Sequence, residues 1–263
     1  MLRKQYGLDQ PILAQYIKYV ANLAKGNFGW SFATGRSTLQ EILRLFPYTV
    51  QLVVGAMLVS VGMGIPIGIV SAAQRNSISD KAGMVLALTF LSVPGFCLGL
   101  LLLLLFSVKL GWLPMIGAGD PGNVFSTLRH LVLPAFTLGG SEAAFIARMT
   151  RSALLEVIAQ DYIRTARAKG LSNRSVLYKH ALKNALIPVV TIVGLNMGRL
   201  LAGSVVVETV FSRPGIGKLL IDSITARDYM QIQATVIFIA FCFVATNLVV
   251  DLIYAFLDPR IRY

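Results

Sequence analysis

Glu142 and Arg199 each sit inside an otherwise apolar stretch, residues 131–147 and 184–207, where a charge needs a reason to be. At the centre of a bilayer such a charge costs at least about 2.5 to 3.5 kcal/mol. A carboxylate and a guanidinium there have two readings. They line a passage and meet the amine and carboxylate of a passing solute, or they form a polar contact between helices. A second group of polar residues is clustered instead of isolated: Asp161, Tyr162, Arg164, Thr165, Ala166, Arg167, Ala168, Lys169 and Gly170. Their chemistry is that of docking. Tyr162, Ile163, Ala166 and Ala168 give an apolar side and Arg164, Arg167 and Lys169 a basic one, which suits insertion into a groove on a soluble partner.

Bond-making chemistry is not indicated. The nearest approach to a phosphate loop, residues 215–218 (GIGK), is followed by Leu219 where Ser or Thr would be required. Ser141 lacks the strand and turn of a nucleophile elbow. His130 and His180 have no second ligand at metal spacing, and Cys97 and Cys242 lie in apolar runs as small buried hydrophobes. No catalytic residue, cofactor or metal site is therefore expected. The net charge of +12 does not point to nucleic acid, because much of it is explained by membrane topology.

The elements that must position these residues are membrane helices. With 56% hydrophobic and only 14% charged residues in 263, the chain is an integral membrane protein. Charge-free runs at 47–74 and 82–108 exceed the roughly 20 residues that cross the hydrocarbon. Candidate spans at 131–147, 184–207 and 232–257 contain Glu142, Arg199 and Asp251 and bring the number to five. The fold class is thus an all-α polytopic bundle. Gly62, Gly64 and Gly68 favour close helix packing, and Pro94, Gly95 and Pro134 are candidates for bends.

Lys and Arg are retained on the cytosolic side of short loops. The stretch 148–183 carries eight of them against Glu156 and Asp161, and is read as a cytosolic loop. The same rule places the C-terminal residues 258–263 in the cytosol, and residues 110–130 and 208–231 outside. Residues 1–44 then form an external amphipathic segment, with a helical stripe at 11–23, and residues 45–263 the transmembrane domain. Residues 1–9 have no apolar core to carry that segment across. Either a preceding span is missing from this sequence or translocation relies on the later spans, and the first is the expectation.

Within the basic loop, Asp161 is expected to cap a helix over 162–169. Gly170 takes the left-handed position at its end, and Ser172 caps the next helix. Outside, Ile216, Leu219, Leu220 and Ile224 repeat at helical spacing, so the loop after 208 holds a short helix that serves as an interfacial element or as a lip for substrate. Glu208 is placed at an outer edge.

Residues 161–170 (DYIRTARAKG) and 180–188 (HALKNALIP) closely resemble the coupling motif of ABC importer permeases of the dipeptide, oligopeptide and nickel group. Residues 6–11, 26–29, 111–114, 205–211, 214–217, 227–229 and 258–263 are similar to the same family, so the resemblance covers nearly the whole chain. At the motif's usual Glu-Ala-Ala this sequence has Arg164, Thr165 and Ala166, and Arg164 does not inherit the acidic residue's role. The resemblance implies a type I importer permease fold. It also implies a heterodimer with a second permease, two ATP-binding subunits below and an external solute-binding protein above, in a bacterial or archaeal cytoplasmic membrane among its lipids. Six spans are usual in the family, which again implies one preceding this sequence. The expected solute is a short peptide or peptide-like compound, with a nickel chelate or glutathione as alternatives. A secondary carrier would be expected to show inverted repeats, and a membrane enzyme a cluster of intramembrane acids or histidines. Neither is displayed.

Overall fold

The structure is a computed structural model that describes residues 10–257, with no strands among them. The described residues form nine helices: α1 Ile12–Ala24, α2 Thr38–Ala73, α3 Ile78–Ser92, α4 Gly95–Lys109, α5 Val124–Ile158, α6 Asp161–Ala168, α7 Asn173–Val210, α8 Ile216–Thr225 and α9 Tyr229–Leu257. The side chain of Asp251 and the terminal residues 258–263 lie outside the described residues, as does most of the motif at 6–11.

Four helices, α2, α5, α7 and most of α9, are long and apolar enough to cross a membrane. At 1.5 Å per residue the 36 residues of α2 reach about 54 Å, well beyond the roughly 30 Å of hydrocarbon. The helix begins at Thr38, so the expected division at residue 44 falls within its first two turns. The fifth expected span is broken. The run 82–108 is not one straight helix but α3 and α4, bent by 106°. Pro94 has no N–H to give an α-helical ladder and disfavours helical geometry in the residue before it, and Val93 is extended at φ −82°, ψ 124°. The number five holds when this bent pair counts as one crossing.

Helices α2 and α5 make the most extensive contact among the described elements. Its closeness depends on small residues: a Cβ at Gly64 would lie 2.7 Å from the Ala143 carbonyl oxygen, and one at Gly68 would lie 2.6 Å from that of Ala147. Gly62, expected to share this role, faces open space. Three apolar clusters run along the bundle. Leu52, Ala56, Leu133, Leu200, Val207 and Phe211 fill the middle. Ala72, Leu154, Ile163, Val176, Ala181 and Ala185 close the end that carries α6. Ile42, Ile216 and Ala234 close the end that carries α8. Much apolar surface stays open, Leu58, Leu101 and Val244 among it, as a lipid-facing or subunit-facing bundle requires. The apolar stripe of α1, with Ile12, Leu13, Tyr16 and Ile17, is likewise uncovered by the rest of the chain.

Candidate functional site

The basic end is built on α6. Its helix spans Asp161–Ala168, one residue earlier than the sequence suggested, and Gln160 occupies the cap position without a side-chain cap. Asp161 is therefore the first helical residue, where its charge suits the helix dipole. The Asp161 backbone carbonyl accepts from Thr165 Oγ1 at 3.1 Å, and its side chain meets Arg164 at 3.4 Å. Gly170 adopts φ +80°, and no atom lies within 4 Å of where its Cβ would be. The demand for glycine there is conformational and not steric. Ser172 caps the following helix by accepting from the Ser175 amide at 3.3 Å.

The apolar side of α6 is spent differently from the expectation. Ile163 is fully buried against Leu154, Val176 and Ala181, with Ala166 packed beside it. These two residues fasten α6 to its own chain. Tyr162 lies at the edge, its hydroxyl accepting from Asn184 Nδ2 at 2.8 Å. The face left outward is polar and basic: Asp161, Arg164, Thr165, Arg167, Ala168, Lys169 and Gly170 are all exposed. A partner would thus meet charge and backbone on an element whose seat is already fixed.

Glu142 and Arg199 lie on α5 and α7, and they do not form an ion pair. Glu142 is half-buried and accepts from Asn196 Nδ2 at 2.8 Å, so the interhelical polar contact is real, with Asn196 as its donor. Arg199 is exposed on a spanning helix, near enough to Glu142 to act on it through space.

Sequence reasoning missed the polar construction at the opposite end. Glu208 lies near the end of α7, at the edge where it was placed, but it is fully buried. It accepts from Thr49 Oγ1 at 2.6 Å and from the Gly217 and Lys218 amides at 2.8 and 3.0 Å, while Thr49 Oγ1 accepts from the Ile216 amide at 2.9 Å. Glu208 thereby satisfies the first amides of α8 and ties α2, α7 and α8 together. A Cβ at residue 215 would collide with the Glu208 carboxylate and one at residue 217 with the Val205 backbone and then that carboxylate, which favours glycine at both. Beside it Arg213 is fully buried, with Nη2 donating to Gln51 Oε1 at 3.1 Å. Asp228 does similar work for α9, accepting from the Gln231 amide at 3.2 Å, from the Phe32 and Ala33 amides at 3.2 Å each, and from the Ser31 hydroxyl. Burial pushes the Asp228 carboxyl up, but the Ser31 hydroxyl and the Ala33, Gln231 and Phe32 amides outweigh it and hold it below its ordinary value. Toward the α6 end, Asp80 takes both Nε and Nη2 of Arg151, at 2.7 and 2.8 Å, and so locks α3 to α5.

This arrangement, an all-α bundle with a short exposed helix beyond its spans, is matched by known proteins. Residues 64–263 match the family described as binding-protein-dependent transport system inner membrane component. The chain belongs to that family. A glutathione transport system permease protein, GsiC, of Salmonella paratyphi A is 47% identical over 263 residues, covering 100% of this chain and 84% of that protein. A di/tripeptide transport system permease protein, DppB, of Pseudomonas aeruginosa is 46% identical over 278 residues, covering 98% and 83%. Among solved structures, an inward-facing MetNI methionine ABC transporter chain aligns with TM-score 0.69 at 18% identity, over 83% of this chain and 97% of that one. An amino acid ABC transporter solved with histidines gives 0.61 at 15% identity, over 82% and 94%. These two establish the type I importer permease fold. As a member of the family, the chain is an inner-membrane permease subunit of an ABC importer that works with a binding protein and ATPase subunits, and it is not itself an enzyme.

Proposed function

We propose that this permease carries short peptides or glutathione-like peptides inward, pairing with a second, non-identical permease, and that residues 161–170 are its contact with an ATPase. The carrying observation is the construction of α6: its buried stripe is fixed to the chain's own core while its charged face and the Gly170 turn point outward. A rigidly seated, exposed helix transmits a push, whereas a loose loop would absorb it. In this reading the α6 end is cytosolic, with the C-terminus on the same side and the α8 end external, in keeping with the Lys and Arg distribution. Closure of the ATPase pair on ATP moves α6, and with it α5 and α7, between inward-open and outward-open arrangements.

Residues 45–263 serve as the translocating domain and 1–44 as an external segment. Glu142, held by Asn196, faces the solute's amine, and Arg199 its carboxylate. An exposed arginine on a spanning helix needs water or a partner, and a pathway shared with the second permease supplies both. A short peptide is a fitting solute for one acid and one base, and the glutathione and di/tripeptide relatives favour it.

The test is reconstitution of the chain with its co-purifying permease, ATPases and binding protein in proteoliposomes, followed by uptake of labelled dipeptide and glutathione. ATP-dependent accumulation, abolished by Gly170→Pro with assembly intact, is the expected result. Uptake indifferent to ATP, or driven by an ion gradient alone, would overturn the proposal.

A further inference from the structure

Behind α6 lies a cavity of about 530 Å³ lined by Arg75, Arg167 and Arg174. The three come from separate elements: Arg75 just after α2, Arg167 on α6, and Arg174 in the first turn of α7. No aspartate or glutamate lines the cavity, and none of the three arginines makes an ion pair among the described residues. Asp80 is near enough to act on Arg75 through space, but its oxygens are already taken by Arg151 and the Asn76 amide. Three like charges around one cavity favour the entry of an anion. The N-terminus of the 38-residue α7 also opens here, adding its partial positive charge, and Asn173 and Tyr178 add side-chain hydrogen-bonding groups. The rest of the lining is largely apolar, with Ala72, Leu155, Ile158 and Leu177 among it. A bare ion would leave that apolar wall unused, whereas an ester carrying carbon would cover it.

We infer that this cavity binds a phosphate-bearing anion, which the three guanidinium groups grip while the apolar wall takes the attached carbon. Guanidinium forks match phosphate oxygens in geometry as well as charge. The cavity lies where α2 ends at Ala73 and its apolar run gives way to polar chain, a place that a phospholipid headgroup at the bilayer surface would reach. An anionic lipid or a soluble phosphate would each satisfy the chemistry. The assignment to the inner leaflet rests on the sidedness proposed above, but the binding itself does not.

The test uses the complete transporter with its partner subunits, in nanodiscs of phosphatidylcholine with or without phosphatidylglycerol. Native mass spectrometry counts retained phosphatidylglycerol, and thermal unfolding in pure phosphatidylcholine is read with and without inorganic phosphate. The wild type should retain the anionic lipid. The double substitution Arg75→Gln with Arg174→Gln should retain about thirtyfold less, the factor for losing two basic side chains at an anionic surface. Stabilisation by inorganic phosphate alone, absent in the double variant, would also support the site and assign it to a soluble anion. If the wild type neither retains the lipid nor responds to phosphate, the inference is overturned, whatever the variant's folding. Equal retention by a folded variant overturns it too, as do crosslinks from position 75 or 174 to an ATPase without phosphate binding. Sidedness is read separately by labelling Arg174→Cys, with Cys97 and Cys242 changed to serine, using an impermeant maleimide. Reaction only from the external face would overturn the topology and leave the binding result standing.

Discussion

The two ends of this bundle use charge in opposite ways. At the α8 end, Glu208 and Asp228 are buried and satisfied by hydroxyls and backbone amides of their own chain, across 159 residues for Glu208 and Thr49 and 197 for Asp228 and Ser31. At the α6 end, Arg164, Thr165 and Lys169 are exposed on the outward face and Arg167 is exposed at the rim of the cavity behind it, and apart from the exposed contact of Arg164 with Asp161 none of these side chains is ion-paired. A polar group with all its partners inside the chain holds that chain together, whereas one left open marks where something else binds. The contrast separates the end that is assembled from the end that is available.

Removing a satisfied charge should have the largest effect. Glu208→Ala leaves the Gly217 and Lys218 amides and the Thr49 hydroxyl without their acceptor, and should cost about 3 kcal/mol or more. The expected outcome is a much lower unfolding temperature of the purified transporter, or loss of the chain from the membrane. An unchanged unfolding temperature would erase the distinction between the ends.

At the open end the loss should be functional before it is structural. Gly170→Ala forces a left-handed residue to carry a Cβ, at about 1 to 2 kcal/mol, with no clash. Gly170→Pro cannot adopt φ +80° at all. Membrane insertion should survive both, while solute-stimulated ATP hydrolysis by the partners falls modestly in the first and is abolished in the second.

In the middle of the bundle, Glu142→Gln and Arg199→Gln should each raise the solute concentration for half-maximal transport by roughly tenfold, the loss of one charge-assisted hydrogen bond. Unfolding temperature should move little. Equal loss of stability and transport would assign both residues to helix packing alone.

The smallest effect concerns acid. Asp228 has a folded-state carboxyl below its ordinary value, so its contribution to stability is complete above about pH 4, the unfolded carboxylate value, and is lost as pH falls through the folded value. Unfolding temperature should therefore fall in that acid window, and Asp228→Asn should be less stable at neutral pH but flatter across the window.

What could be read in the sequence was local. The left-handed Gly170, the cap at Ser172 and the helix from Ile216 each depend on neighbours a few residues away, and residue type alone signals them. The short helix α6 was legible for the same reason, though not which of its apolar residues are spent on its own chain. Ile163 looks like a docking residue until Leu154 and Val176 are seen to cover it. Long-range partners left weaker marks. Nothing beside Asp80 announces Arg151, 71 residues away, and Glu208 at the end of its valine run gives little sign that Gly215 and Gly217 fold over it and bury it. Two glycines flanking a helix start, after an acid in an apolar run, were the one available clue. Residues 82–108 misled differently: composition measures length and polarity, and only Pro94 hinted at a bend of 106°.

The most direct test of the central claim is crosslinking from the outward face of α6. With Thr165→Cys in the assembled transporter, lacking its native cysteines, a short bifunctional reagent should join this chain to an ATPase subunit, and the yield should change when ATP is bound. Crosslinks only to the second permease or the binding protein, or labelling of that cysteine from the external side, would contradict the account.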